Sequence, residues 1–205
     1  MLTFEDLLPS ILEQPRLHAR MINTWSMLEY IGTRKILKSQ DAAGITLSLL
    51  AHIQEEIRHA QMLKKLALDL SQGELTSYRE EHLLCGKSAR EYFQTIDLES
   101  ERRIKASGKF QNYLLTTLLI EERAKKIYPV YGKALEGSSY AAVIRAILKD
   151  EENHLREVTE EFKIPVQTDS AAFSLDELRR VEEVSFQKYL LQMSEEARKN
   201  ANQKL

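Results

Sequence analysis

Two Glu-x-x-His motifs constrain this chain more than any other feature: Glu56-Ile57-Arg58-His59 and Glu151-Glu152-Asn153-His154. On a helix, residues three apart share a face, so each motif projects a carboxylate and an imidazole in one direction. Each motif also follows a further glutamate. Glu29 precedes Glu56, with the midpoint near Asp41-Ala42-Ala43-Gly44, and Glu121 precedes Glu151, with the midpoint at Glu136-Gly137-Ser138. Both midpoints carry turn and cap signals. The pairs therefore read as two helical hairpins. At about 1.5 Å rise per residue, each carboxylate stands roughly 20 Å from its own turn. Packed with their apolar faces together, the hairpins bring Glu29, Glu56, His59, Glu121, Glu151 and His154 into one layer.

The rest of the chain permits this. Only 7 Gly and 4 Pro punctuate 205 residues, and apolar residues recur at helical spacing, so the expected class is all-α. The spacing predicts a first helix from about Ser10 or Pro15 to Lys38. A second follows Asp41, a candidate N-cap, and runs to about Leu70, where Ser71-Gln72-Gly73 stops it. Gly73 to Ser107 reads as a long crossover with a short helix around Tyr78–Gln94 and a charged stretch, Glu99-Ser100-Glu101-Arg102-Arg103. A third helix spans about Gly108–Leu135. A fourth spans about Ser139–Phe162 and stops at Lys163-Ile164-Pro165. Ser174-Leu175-Asp176-Glu177 resembles a capping box for a fifth helix, ending near Arg198. The expected division is a four-helix bundle over residues 1–165 and a C-terminal helical extension over 166–205 packed on it.

Charge and cysteine usage narrow the class. The formal net charge is −2, which gives no electrostatic case for nucleic acid or an anionic membrane. The single Cys85 excludes an internal disulfide framework and fits a reducing compartment. The acidic start, Met1-Leu2-Thr3-Phe4-Glu5-Asp6, lacks the basic residues of a signal peptide. No uncharged apolar run approaches the roughly eighteen residues of a membrane span. The expected location is cytoplasmic.

The four glutamates lie on mostly apolar helical stripes. Glu29 has Ile22, Trp25 and Ile36 on its face; Glu56 has Leu49, His52 and Leu63; Glu121 has Leu114, Leu118 and Tyr128; Glu151 has Ile144, Ile147 and Val158. An unpaired carboxylate on such a face is costly. Carboxylate oxygen and neutral imidazole suit iron and manganese, and six ligands carrying four negative charges match two divalent cations. Shared protons or arginine pairs are the alternative. Glu122 competes with Glu121 for the third-helix position. The stripe through Glu122 includes Pro129 and suits a solvated face, whereas Thr117, Ala124 and Tyr128 give Glu121 an interior one, with Lys125 as its discordant member. The stripes favour Glu121.

An acidic residue precedes each motif glutamate: Glu55 before Glu56 and Asp150 before Glu151. A metal-bound imidazole usually donates its other N–H to a carboxylate. Across the helix pair, Asp150 is the candidate partner of His59, and Glu55 that of His154; a plain solvent-facing role is the alternative. His52 reads as a hydrogen-bonded core histidine or an auxiliary ligand, and Trp25 and Tyr128 as core aromatics or redox gates.

This order of residues resembles the ferritin-like di-metal carboxylate superfamily, in which two helices each contribute a Glu and two others each contribute Glu-x-x-His. The resemblance covers about Ser10 to Phe162. Within it, Ala51–His59, Ile120–Ala124 and Leu148–His154 are similar to the helices of small non-haem di-iron hydroxylases, among them the tRNA-modifying hydroxylases. The resemblance implies a ferritin-like bundle, two iron ions (with Mn/Fe or Mn/Mn as variants) and Glu121 as the third-helix ligand. It implies an oxidoreductase that uses dioxygen on a small organic substrate with an electron donor. A ferroxidase or peroxide-scavenging protein, possible as a homodimer, is the alternative, and a non-catalytic helical interaction protein the third reading. A nucleic-acid substrate would need a basic face, for which Lys64-Lys65 and Arg34-Lys35 are the candidates. Asn153, Lys125, the crossover and the helix beyond Pro165 depart from the pattern, so it does not carry the substrate over.

Overall fold

The computed structural model describes residues 1–40, 44–104, 108–168 and 175–202. Among the described residues the chain forms seven α-helices, with a 3-10 turn at Glu80–His82 and no strand: α1 (Phe4–Leu12), α2 (Pro15–Ser39), α3 (Leu47–Leu70), α4 (Gly86–Ile104), α5 (Gly108–Ala134), α6 (Tyr140–Thr168) and α7 (Leu175–Asn202). None is long and apolar enough to cross a membrane.

The hairpins form where turn chemistry ends one helix and starts the next. Between α5 and α6, Gly137 adopts φ +84, a left-handed conformation that costs glycine nothing sterically. α3 begins at Leu47 rather than beside Asp41, which lies outside the described residues. Thr46 is its N-cap: the hydroxyl accepts a bond from Leu49 N–H at 3.1 Å, filling one of the orphan donors of the first turn.

Several element limits differ from the sequence expectation. The N-terminal segment holds its own helix, α1, opened by a capping box between Thr3 and Asp6. Pro15 then lacks an N–H to continue α1 and sits at the first position of α2, where none is needed. The crossover helix α4 extends ten residues beyond Gln94, to Ile104. The charged stretch is its last turn, where Glu99 accepts from Arg103 at 2.6 Å and also pairs with Arg102; cations there also suit the negative helix end. α6 continues past Phe162 to Thr168, although a proline inside a helix removes a backbone donor and crowds the preceding turn. The helix thus crosses residue 165, the expected edge of the bundle. Ser174, the expected cap of α7, lies outside the described residues.

The α2–α3 and α5–α6 hairpins pack side by side, α2 against α5 and α3 against α6. α4 is more than a connection. It lies along α5 and α7 and also touches α2, while α7 reaches α1. A polar knot ties this outer layer down. Arg123 of α5 grips Glu182 of α7 through Nε at 2.8 Å and Nη2 at 2.5 Å and reaches Glu183 at 2.6 Å, and Tyr92 of α4 donates to Glu182 at 2.5 Å. The Arg123 guanidinium also lies 4.1 Å over the Phe186 ring. Planar, bidentate arginine is the cation suited to such a buried carboxylate.

Candidate metal centre

Midway along the two hairpins, α2 contributes Glu29, α3 Glu56 and His59, α5 Glu121, and α6 Glu151 and His154. The structure brings all six together. One donor atom each from Glu29, Glu56, His59 and Glu151 lies within 4.8 Å of the others, and the same holds for His52, Glu56, Glu121 and His154. Glu56 belongs to both groups. Glu151 Oε1 stands 3.0 Å from His59 Nδ1, and Glu151 Oε2 stands 3.4 Å from His154 Nδ1, so this carboxylate also spans the two. Glu121 is only 3% exposed and faces His154 at 3.6 Å. Glu122 turns outward and accepts two bonds from Arg179 of α7, at 2.9 and 2.6 Å. Lys125, the discordant member of the Glu121 stripe, is exposed.

Two acidic residues hold the histidines from outside. His59 Nε2 lies 3.0 Å from Asp150 Oδ2, which Arg58 also binds at 2.6 Å. His154 Nε2 lies 2.7 Å from Glu55 Oε2. Each bond crosses between α3 and α6, and each fixes the ring with Nδ1 turned inward. On α5, Tyr128 donates to Glu29 at 2.7 Å, and Trp25 meets Tyr128 edge-on at 5.7 Å between ring centroids. His52, one turn before Glu56, bonds Tyr113 through Nδ1 at 2.8 Å. Tyr113 was not among the residues singled out in the sequence. It is an unremarkable aromatic on the apolar stripe of α5, and only its side chain reaching His52 of α3 across the bundle reveals its partner.

Burial and mutual repulsion set the charge state. Burial, then the charges of Glu56 and Glu151, push the Glu29 carboxyl well above its ordinary range. Burial and then Glu151 do the same to Glu121. Glu56 is pushed up to about 7, first by burial. Burial also opposes ionisation of Glu151, but the neighbouring Glu121, His154 and His59 outweigh it and hold this carboxyl low. Burial lowers His59 and His154, yet the adjoining Glu151 and further carboxylates outweigh it and raise each to about 9. Without a cation, protons therefore take over part of the neutralisation, as groups forced together at low dielectric require.

That neutralisation leaves polar atoms unsatisfied. Glu56 Oε1, Glu151 Oε1, His59 Nδ1 and His52 Nε2 are sealed from solvent and make no hydrogen bond of acceptable geometry. Buried polar atoms are normally paired, and four orphans divided between two adjoining groups of donor atoms fit the donor set of a metal centre. All-oxygen-and-imidazole donors suit iron, manganese or zinc better than a soft ion.

Space beside the layer is shaped by a glycine. A Cβ on Gly32 would sit 3.2 Å from Glu56 Oε2, so the bare backbone of α2 lets this carboxylate reach its position. A cavity of ≈ 60 Å³ touches Glu29, Gly32, Glu56, Glu121 and Glu151. A second, of ≈ 90 Å³, is walled by Trp25, Tyr92, Tyr128, Phe186, Tyr189 and Met193 and also reaches Glu29. The two share Leu28, Glu29, Phe93, Ile120 and Ala124 as a common wall.

Of the candidate basic residues, Lys65 is exposed, and the other three have partners. Lys64 donates to Asn23 Oδ1 at 2.7 Å and lies 4.5 Å over the Tyr78 ring. Lys35 pairs with Asp97, and Arg34 lies over the Tyr30 ring. Compared with family models, curated proteins and solved structures, the chain gives no match.

Proposed function

We propose that this chain is a ferritin-like oxidoreductase whose centre holds two iron ions and uses dioxygen to oxidise or hydroxylate a small organic substrate. Glu29, His59 and Glu151 would hold one ion, Glu121 and His154 the other, with Glu56 shared between them. When bound, such an iron pair supplies the binding and reduction of dioxygen, chemistry that amino-acid side chains lack. The observation that carries the metal reading is the convergence of orphaned Glu56, Glu151 and His59 atoms on one buried layer.

The chain's own residues supply the rest. Asp150 and Glu55 accept the outer N–H of His59 and His154 and so fix the tautomer that turns a lone pair inward. Tyr128 donates its O–H to Glu29, holding that carboxylate at the edge of the larger cavity. The apolar walls of that cavity exclude water and favour an apolar or aromatic substrate beside Glu29. This cavity is what favours an organic substrate over ferroxidase chemistry, which needs no apolar pocket.

The test is elemental analysis of the full chain loaded with iron or manganese, beside a Glu56→Ala/Glu151→Ala variant. Two ions per chain, lost in the variant, is the expected result. Oxygen consumption by the iron-loaded protein, accelerated by small apolar compounds, would support the oxygenase reading. Acceleration by ferrous iron alone would favour the ferroxidase. Binding below a few tenths of an ion per chain, on the order of adventitious loading, overturns the proposal.

A further inference from the structure

Three buried histidines surround the carboxylate layer, and all three are built alike. His59 and His154 each direct Nε2 to an acidic oxygen outside the layer and turn Nδ1 inward. His52 has the same design with its nitrogens exchanged. Nδ1 meets Tyr113 Oη at 2.8 Å, and Nε2 faces Glu56 Oε1 at 3.3 Å. That Nε2 makes no hydrogen bond and is sealed from solvent, on a side chain 6% exposed by residue. A histidine present only for packing would satisfy its second nitrogen with a donor or acceptor. His52 instead aims a bare nitrogen at the point where Glu56, Glu121 and His154 also present donor atoms, all within 4.8 Å of one another. Its ring lies against that of His154, 4.0 Å between centroids and 31° from parallel.

We propose that His52 is a third imidazole ligand of the centre, so that the two metal positions carry unlike donor sets. The inference rests on the di-metal reading above and deepens it. One position takes His52, His154, Glu121 and Glu56; the other takes His59, Glu29, Glu151 and Glu56. The first offers two nitrogens and two carboxylates, the second one nitrogen and three carboxylates. Tyr113 is the positioning residue. Its oxygen accepts His52 Nδ1–H and leaves the Nε2 lone pair directed at the layer, the part Asp150 and Glu55 play for the other two rings. The nitrogen-rich position favours ions late in the divalent series, and the carboxylate-rich position suits harder ones. A mixed pair of ions would therefore load in one order.

The tautomers make this testable on the unaltered chain. The 5 histidines can be followed in long-range proton–nitrogen spectra of the full protein loaded with zinc, a diamagnetic probe. The expected result is metal on Nε2 of His52 and on Nδ1 of His59 and His154, with His18 and His82 unchanged between metal-free and loaded protein. A His52→Phe variant is expected to bind one zinc ion about tenfold or more weaker, as for loss of a metal-orienting group, and the other as tightly as before. Metal on His59 and His154 with His52 Nε2 unshifted, or a variant that binds both ions as the parent does, overturns the proposal and leaves the di-metal reading standing. No metal-bound imidazole on any of the three, with zinc uptake unaffected by Glu56→Ala/Glu151→Ala, overturns both.

Discussion

A methyl group on Gly32 should affect the metal-free and metal-loaded proteins in opposite directions. Gly32 lies within α2, where replacing glycine by alanine stabilises a helix by about 0.5–1 kcal/mol. The new Cβ would stand 3.2 Å from Glu56 Oε2, whereas ordinary contact begins at 3.4 Å, so the carboxylate must retreat by at least 0.2 Å, the difference of those distances. In metal-free protein the retreat is cheap, because Glu56 Oε2 is the end of a side chain with rotamers to spare, and the helix gain should dominate. In loaded protein it is not cheap. A metal–oxygen distance tolerates about ±0.2 Å, and the methyl consumes that whole tolerance at a ligand shared by both positions. A loss of about tenfold in affinity, or about 1.4 kcal/mol, is expected for Gly32→Ala. Urea denaturation of chelator-treated protein reads the first effect, and competitive metal titration the second. Unchanged metal affinity would refute the reasoning, since Glu56 would then have slack that a ligand so placed does not have.

Other perturbations separate the centre from its support. Asp150→Ala and Glu55→Ala, which release His59 and His154 from their outer partners, should each weaken metal binding about 10–100-fold, while Ala at the exposed Glu152 leaves it unchanged in the same titration. Arg123→Met strands Glu182, whose side chain is 7% exposed, and should cost about 3–5 kcal/mol in denaturant unfolding; adding Glu182→Met should recover most of it. Burial lowers His18 to about 4, and its ring nitrogen shares a 2.6 Å bond with Tyr131. The unfolded chain therefore takes up a proton below about pH 6.5 that the folded chain refuses until about pH 4, so stability falls as pH falls through that window. His18→Gln should remove about 2–3 kcal/mol of that decline in urea midpoints compared between pH 6.5 and 4.5.

Much of the arrangement is legible from spacing. Glu-x-x-His dictates that two donors share a helix face, and equal distances from two turns dictate that the faces meet at one height. The stripe that separates Glu121 from Glu122 is equally local, because a half-buried Glu122 needs only a cation such as Arg179 within reach. What spacing does not convey is decided between helices. The length of α4 depends on the neighbours it packs against, α5 and α7, and its polar second half reads as crossover although Ile96 and Ser100 are buried there. α1 was hidden by Pro9 and Pro15, although Thr3-x-x-Asp6 is a readable cap. The direction of His52 Nε2 depends on Tyr113, sixty-one residues away, and no periodicity within α3 contains that information.

The carboxylate layer also lies where the two hairpins join. Within each hairpin the helices lie along one another through most of their length, whereas contact between hairpins is sparser. The layer belongs to that sparser seam, and cations bound there would act as a rivet between two halves that are each held together by local contacts. Loading and hairpin docking then become one equilibrium, in which ions that bind only the docked form deepen it by mass action. Amide hydrogens along the seam should exchange through partial opening in stripped protein, and through global unfolding once the rivet is in place.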